Sequence, residues 1–179
     1  MKMKMLLMVL AGVMISFCGV NAFAAGSATV DVTVSIAQSI DFTLDAGGPI
    51  TLGVQTVGSQ LYAGAPIKVT NTGTGPQTYY LSMTAPAGWT SVTGTPGVDQ
   101  FRMDAAFDAD GTLTWGTANA MTTTAVAASV SQFAGDATGN NIARNIQSKI
   151  WVRLVLPTSV TTSGSGAKTI VMTITAAAA

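Results

Sequence analysis

The chain has 179 residues, with 8 Lys+Arg, 8 Asp+Glu, no His and a formal net charge of +0. Charged residues make up 9% of it, against roughly 25% in ordinary soluble domains, so its surface must be clothed mainly in Thr, Ser, Gly, Ala, Asn and Gln. Weak and scattered charge excludes a nucleic-acid-binding face, and a near-neutral surface favours association in solution.

The first segment reads as an export signal, residues 1–24. Lys2 and Lys4 give a positive end, residues 5–13 an apolar run, and Ala22-Phe23-Ala24 the small-x-small pattern of a cleavage site. The run is short for a bilayer span of about 20 residues. Cys18 raises lipid attachment instead, but Phe17 stands where such processing needs a small residue. Cleavage after Ala24 would leave residues 25–179, one domain by length, with no cysteine and therefore no disulfide. A chain of that size can bury roughly 68–70% of its unfolded surface, so a core alone can hold it.

Beyond the signal the hydrophobic period is two, not 3.6. In residues 28–36, Val30, Val32, Val34 and Ile36 fall on one face and Asp31, Thr33 and Ser35 on the other. Gln38-Ser39 then breaks the pattern. Further strands are predicted at 40–44, 50–54, 66–71, 78–84, 100–107, 112–115, 125–130, 150–156 and 169–175. Turn chemistry separates them: Ala46-Gly-Gly-Pro49, Asn71-Thr-Gly-Thr-Gly-Pro76, Asp108-Ala-Asp-Gly111 and Ser163-Gly-Ser-Gly166. The alanine-rich stretch 117–132 reads equally as strand or loop. One helical turn is expected at 141–147, where Ile142 and Ile146 are four apart. Many short β-branched strands without long amphipathic helices predict an all-β, antiparallel β-sandwich, Ig-like or jelly-roll-like.

Lys68-Val-Thr-Asn-Thr-Gly73, Tyr79-Tyr-Leu-Ser-Met83 and Ala85-Pro-Ala-Gly-Trp89 together resemble a hairpin of bacterial cell-surface Ig-like domains. The resemblance covers about residues 66–90. It implies an Ig-like sandwich in an extracellular adhesive or structural setting, and nothing catalytic. The residues agree with it: Asn71 and Gly73 suit a turn, Tyr79 and Leu81 share a face, and Trp89 closes an edge of the core.

Enzyme chemistry finds few candidates. Without His, and with Cys18 in the leader, there is no Ser-His-Asp triad, thiol nucleophile or usual zinc site. All eight acidic residues are Asp, and no Gly-rich phosphate loop precedes a helix. Ser165-Gly-Ala-Lys168 fits a Ser-x-x-Lys pattern, but in turn sequence rather than at a helix start. Asp104, Asp108 and Asp110 form an acidic cluster that a hard cation such as calcium could use. Asp108-Ala-Asp-Gly111 is equally an ordinary turn, and a closed calcium site would need further ligands. Three Trp residues invite sugar stacking, with Trp115 and Trp151 expected in packing and Trp89 the most exposed.

These observations predict a non-enzymatic secreted protein, at the cell surface or outside the cell, with no cofactor, no nucleic-acid partner and no membrane span after cleavage. Its partner would be itself or cell-surface components. The main expectation is a structural subunit of a filament or surface layer, the alternative a carbohydrate- or calcium-dependent adhesion module. For strand 28–36 two fates stand open. It completes its own sheet, or Val30, Val32, Val34 and Ile36 fill a groove in the next subunit, as in donor-strand complementation.

Overall fold

Strands form where the sequence alternates, and they divide between two sheets. The computed structural model describes residues 38–50, 52–161 and 165–179. The expected signal 1–24 and the strand carrying Val30, Val32, Val34 and Ile36 lie outside the described residues. In chain order the strands are β1 (Phe42–Ala46), β2 (Gln60–Tyr62), β3 (Ile67–Asn71), β4 (Gln77–Thr84), β5 (Thr90–Ser91), β6 (Gln100–Phe107), β7 (Val126–Ala127), β8 (Gln147–Val155) and β9 (Val171–Ala178). No α-helix occurs among the described residues, only a 3-10 turn at Thr117–Asn119. No helix there is long and apolar enough to cross a membrane.

The larger sheet is built on β8. One edge of β8 carries β2 and β3 end to end, and the other carries β6, all antiparallel. β1 extends the sheet beyond β3, and the short β5 pairs in parallel with β6. The smaller sheet has three strands in the order β7-β4-β9. Between the two lies one core: Tyr79, Leu81 and Met83 of β4 meet Phe101, Met103, Phe107, Ile150 and Val152 of the larger sheet. Tyr79 stacks on Phe107 at 6.1 Å and takes the edge of Phe42 at 5.7 Å. The result is an all-β, sandwich-like fold.

The β3–β4 connection differs from the expected hairpin. The turn forms, but the strands part into different sheets. Buried Asn71 holds it: its Oδ1 accepts from the Gly73 N–H at 2.9 Å, and its Nδ2 donates to the Gly75 carbonyl at 2.9 Å and the Ile142 carbonyl at 2.8 Å. Tyr79 and Leu81 do share the inward face, both fully buried.

Four other expectations are corrected. The helical turn at 141–147 is absent, because Asn141 (φ 55°) and Asn145 (φ 63°) sit in the left-handed region and interrupt any right-handed turn. Residues 112–115 form no strand. Gly111 (φ 87°) lets the chain cross to the outer face of the larger sheet, where Leu113 and Trp115 line one cleft with Trp151. Strand 125–130 shrinks to β7, and the described residues of 50–54 hold no strand.

Candidate functional site

The small sheet ends at β9. Period-two alternation over Val171–Ala178 sets Met172, Ile174 and Ala176 toward the core and Val171, Thr173 and Thr175 outward. All eight residues of β9 pair with β4, from Thr84↔Val171 to Gln77↔Ala178. Its other edge pairs with no strand among the described residues. The consequence shows in the burial. The row of β4 is closed, with Tyr79 and Leu81 at 0% exposure and Met83 at 2%, whereas Met172, Ile174 and Ala176 stay half-buried. Residues of the same chemistry in the same layer differ because, among the described residues, β4 has strand neighbours on both sides and β9 on one. An open edge presents a row of main-chain N–H and C=O groups ready to pair with another chain.

The start of the described chain lies at one end of β9. Gln38 Nε2 donates to the Pro76 carbonyl at 2.6 Å, and the Ala179 N–H donates to the same carbonyl at 3.2 Å. Ser39 and Thr74 exchange two hydrogen bonds, and the Thr72 and Gly73 N–H groups donate to the Asp41 carbonyl. Residues 38–41 are thus tied to the 72–77 turn and run extended into β1.

The three predicted metal residues separate. Asp104 lies fully buried between two guanidinium groups, Arg102 Nε at 2.6 Å and Arg153 Nη2 at 2.6 Å, and this triad ties β6 to β8 on the outer face. Its oxygens are engaged there, away from the turn. Asp108 and Asp110 are joined instead by Asp136, the three offering oxygens within 4.8 Å of one another. Each of these carboxylates caps main chain. Asp108 accepts from Gly111 (2.6 Å), Asp110 (3.0 Å) and Asp136 (3.1 Å), Asp136 from Ala109 (2.6 Å), and Asp110 from Thr112 (2.8 Å). Burial alone would raise the Asp108 pKa, but the N–H donors from Asp136, Gly111 and Asp110 outweigh it and hold the carboxyl below its usual range. The arrangement is that of a braced loop.

The aromatic residues also rearrange. Tyr62, Leu113, Trp115 and Trp151 line a shallow cleft of about 350 Å³ on the outer face. One face of Trp115 is taken by Arg153, 5.1 Å from the ring centre, and a Cβ at Gly111 would come within 2.8 Å of Trp151. Packing covers part of the Trp115 and Trp151 rings, whereas Tyr62 stays 56% exposed. Trp89 is half-buried: it packs against Phe101 at 5.9 Å beneath Lys168. Lys168 also donates to the Ala87 carbonyl at 2.7 Å, so the Ser165–Lys168 stretch serves as a bridge to the 85–89 turn.

Sequence reasoning missed the inward row of β9, although Met172, Ile174 and Ala176 stand at strand spacing in plain view. Which edge stays open is a property of the sheet order, and no local pattern carries it. Asp136 escaped because only tertiary folding brings it to Asp108. No family model and no curated protein matches the chain.

Proposed function

We propose that this is an exported, non-enzymatic structural subunit, an Ig-like or jelly-roll-like sandwich that assembles into an extracellular filament or surface layer by β-strand donation. One observation supports the reading: among the described residues the smaller sheet ends at β9, whose outer edge pairs with no strand there and whose apolar row is half-covered. The sequence supplies a matching part in the alternating residues 28–36. Low charge and the absence of His and Glu accord with assembly better than with catalysis. The carbohydrate- or calcium-dependent alternative finds less support, since Arg153 takes one face of Trp115 and the carboxylates of Asp108, Asp110 and Asp136 cap main chain.

Negative-stain microscopy of the chain from Ala25 onward tests the reading. Fibres or sheets are expected. Removing residues 25–37, or introducing a charge by Val32→Asp, should abolish them while far-UV circular dichroism stays β-rich. Persistence of the same assemblies in both variants would overturn strand donation.

A further inference from the structure

We infer that the Asp110–Gly111 bond is a latent modification site, where the main chain can rearrange to isoaspartate, and that the Asp108 carboxylate holds it shut. The chemistry is local and needs no second subunit. Of the 8 acidic residues, all Asp, Asp110 alone is followed by glycine, and no Asn of the chain is. A following glycine matters because it sets no side chain in the way of ring closure at its amide.

In the rearrangement the Gly111 nitrogen gives up its proton and attacks Cγ of the protonated Asp110 carboxyl. The carboxyl hydroxyl leaves with that proton as water, and a cyclic succinimide remains. Water then reopens the ring. Addition at Cγ restores Asp110, whereas addition at the main-chain carbonyl routes the backbone through Cβ and Cγ. The water lost in the first step is regained in the second, so solvent is the only co-reactant.

The fold creates this hazard because it needs glycine at 111. Gly111 takes φ 87°, and a Cβ there would stand 2.8 Å from Trp151 Cζ2, so conformation and packing both oppose a side chain. Ala109 and Asp110 are exposed, which leaves the turn open to water. Against this, both reacting groups are engaged. The Gly111 N–H donates to Asp108 Oδ1 at 2.6 Å, and a proton held by a carboxylate is hard to remove. Asp110 Oδ1 accepts from the Thr112 N–H at 2.8 Å, which ties the electrophile forward along the chain. Asp108 is itself fixed: it is buried, and its other oxygen accepts from the Asp136 N–H at 3.1 Å. Its carboxyl, held below the usual range, stays an ionised acceptor at neutral pH.

Peptide mapping by mass spectrometry reads isoaspartate at 110 in the purified protein, held at neutral pH below its Tm. The folded chain should accumulate it at least tenfold more slowly than the same chain unfolded in urea, a factor within reach of a hydrogen bond to a charged acceptor. Asp108→Ala, its fold checked by circular dichroism, should bring the rate most of the way to the unfolded one. Asp110→Asn gives a second reading with Asp108 in place: its conversion exchanges ammonia for water, changes the mass, and should again be at least tenfold slower folded than unfolded. Equal rates in folded and unfolded chains would overturn the protection. A folded Asp108→Ala chain that converts no faster than the unmodified one would overturn the role of Asp108. If Asp108→Ala does not fold, hydrogen exchange of the Gly111 amide in the unmodified chain decides. Protection of tenfold or more supports the inference, and exchange near the unprotected rate overturns it.

Discussion

Replacing Ile174 by Asn should separate folding from assembly. Ile174 pairs with Leu81 across β4 and is half-buried in the isolated subunit. Fully burying such a side chain contributes about 1.5–3 kcal/mol, so the covered half is worth about 1 kcal/mol to the subunit's own stability. Losing it should lower Tm by roughly 2–4 °C in a domain of this size. The exposed half would be covered only when a neighbour's strand arrives. Assembly by the variant loses that contribution of about 1 kcal/mol and buries an amide short of partners, costing about 1–3 kcal/mol more. The sum, roughly 2–4 kcal/mol, weakens assembly about 30- to 1,000-fold at 1.4 kcal/mol per tenfold. Sedimentation velocity across a concentration series measures the assembly and a thermal melt the fold, with Thr173→Asn on the outward face as control. If Ile174→Asn assembles at the concentration of the unmodified chain, the inward row of β9 is not the contact surface.

Three further outcomes follow from the geometry. Asp104→Ala leaves Arg102 and Arg153 facing each other without their carboxylate, and because Asp104 is fully buried the cost should approach about 3 kcal/mol; a loss below about 1 kcal/mol in denaturant titration would contradict the triad's role. Asp108, with its pKa lowered in the fold, adds stability above the ordinary carboxylate range that is lost as pH falls through its folded value. Asp108→Asn should therefore flatten the acid side of the stability–pH curve, leaving the part due to Asp45 and Asp99, lowered by their Thr70 and Thr161 hydrogen bonds; an unchanged acid limb would refute this. Millimolar calcium should leave Tm unchanged, since Asp108, Asp110 and Asp136 already cap main-chain N–H groups; a rise of many degrees would reveal binding to the folded state.

Much of the fold was legible where alternation is strong. Predicted strands 66–71, 78–84, 100–107, 150–156 and 169–175 correspond to β3, β4, β6, β8 and β9 within a few residues at each end. Their inward sets, such as Tyr79 with Leu81 and Ile150 with Val152, follow from period two. Failures arise where tertiary contacts override local pattern. Ile142 and Ile146 have helical spacing, yet each serves strand ends instead: the Ile142 main chain bridges Gln77, and the Ile146 carbonyl accepts from the Asn71 N–H. Trp115 looked like a strand residue and became the cover of a sheet's outer face. The acidic cluster misled in a different way. Asp104 is near Asp108 in sequence, but alternation along β6 sends it to the outer face, to Arg153 of β8, while Asp136 arrives from a distant loop. The open edge depended on knowing which strand ends the smaller sheet.

Electron cryo-microscopy of the chain from Ala25 onward, assembled at high concentration, tests the central claim most directly. The account predicts filaments in which the small sheet gains a fourth strand beside β9, made of residues 28–36 from the adjacent subunit with Val30, Val32, Val34 and Ile36 facing Met172, Ile174 and Ala176. A chain that stays monomeric at high concentration, or an assembly in which the edge of β9 remains bare, would contradict it.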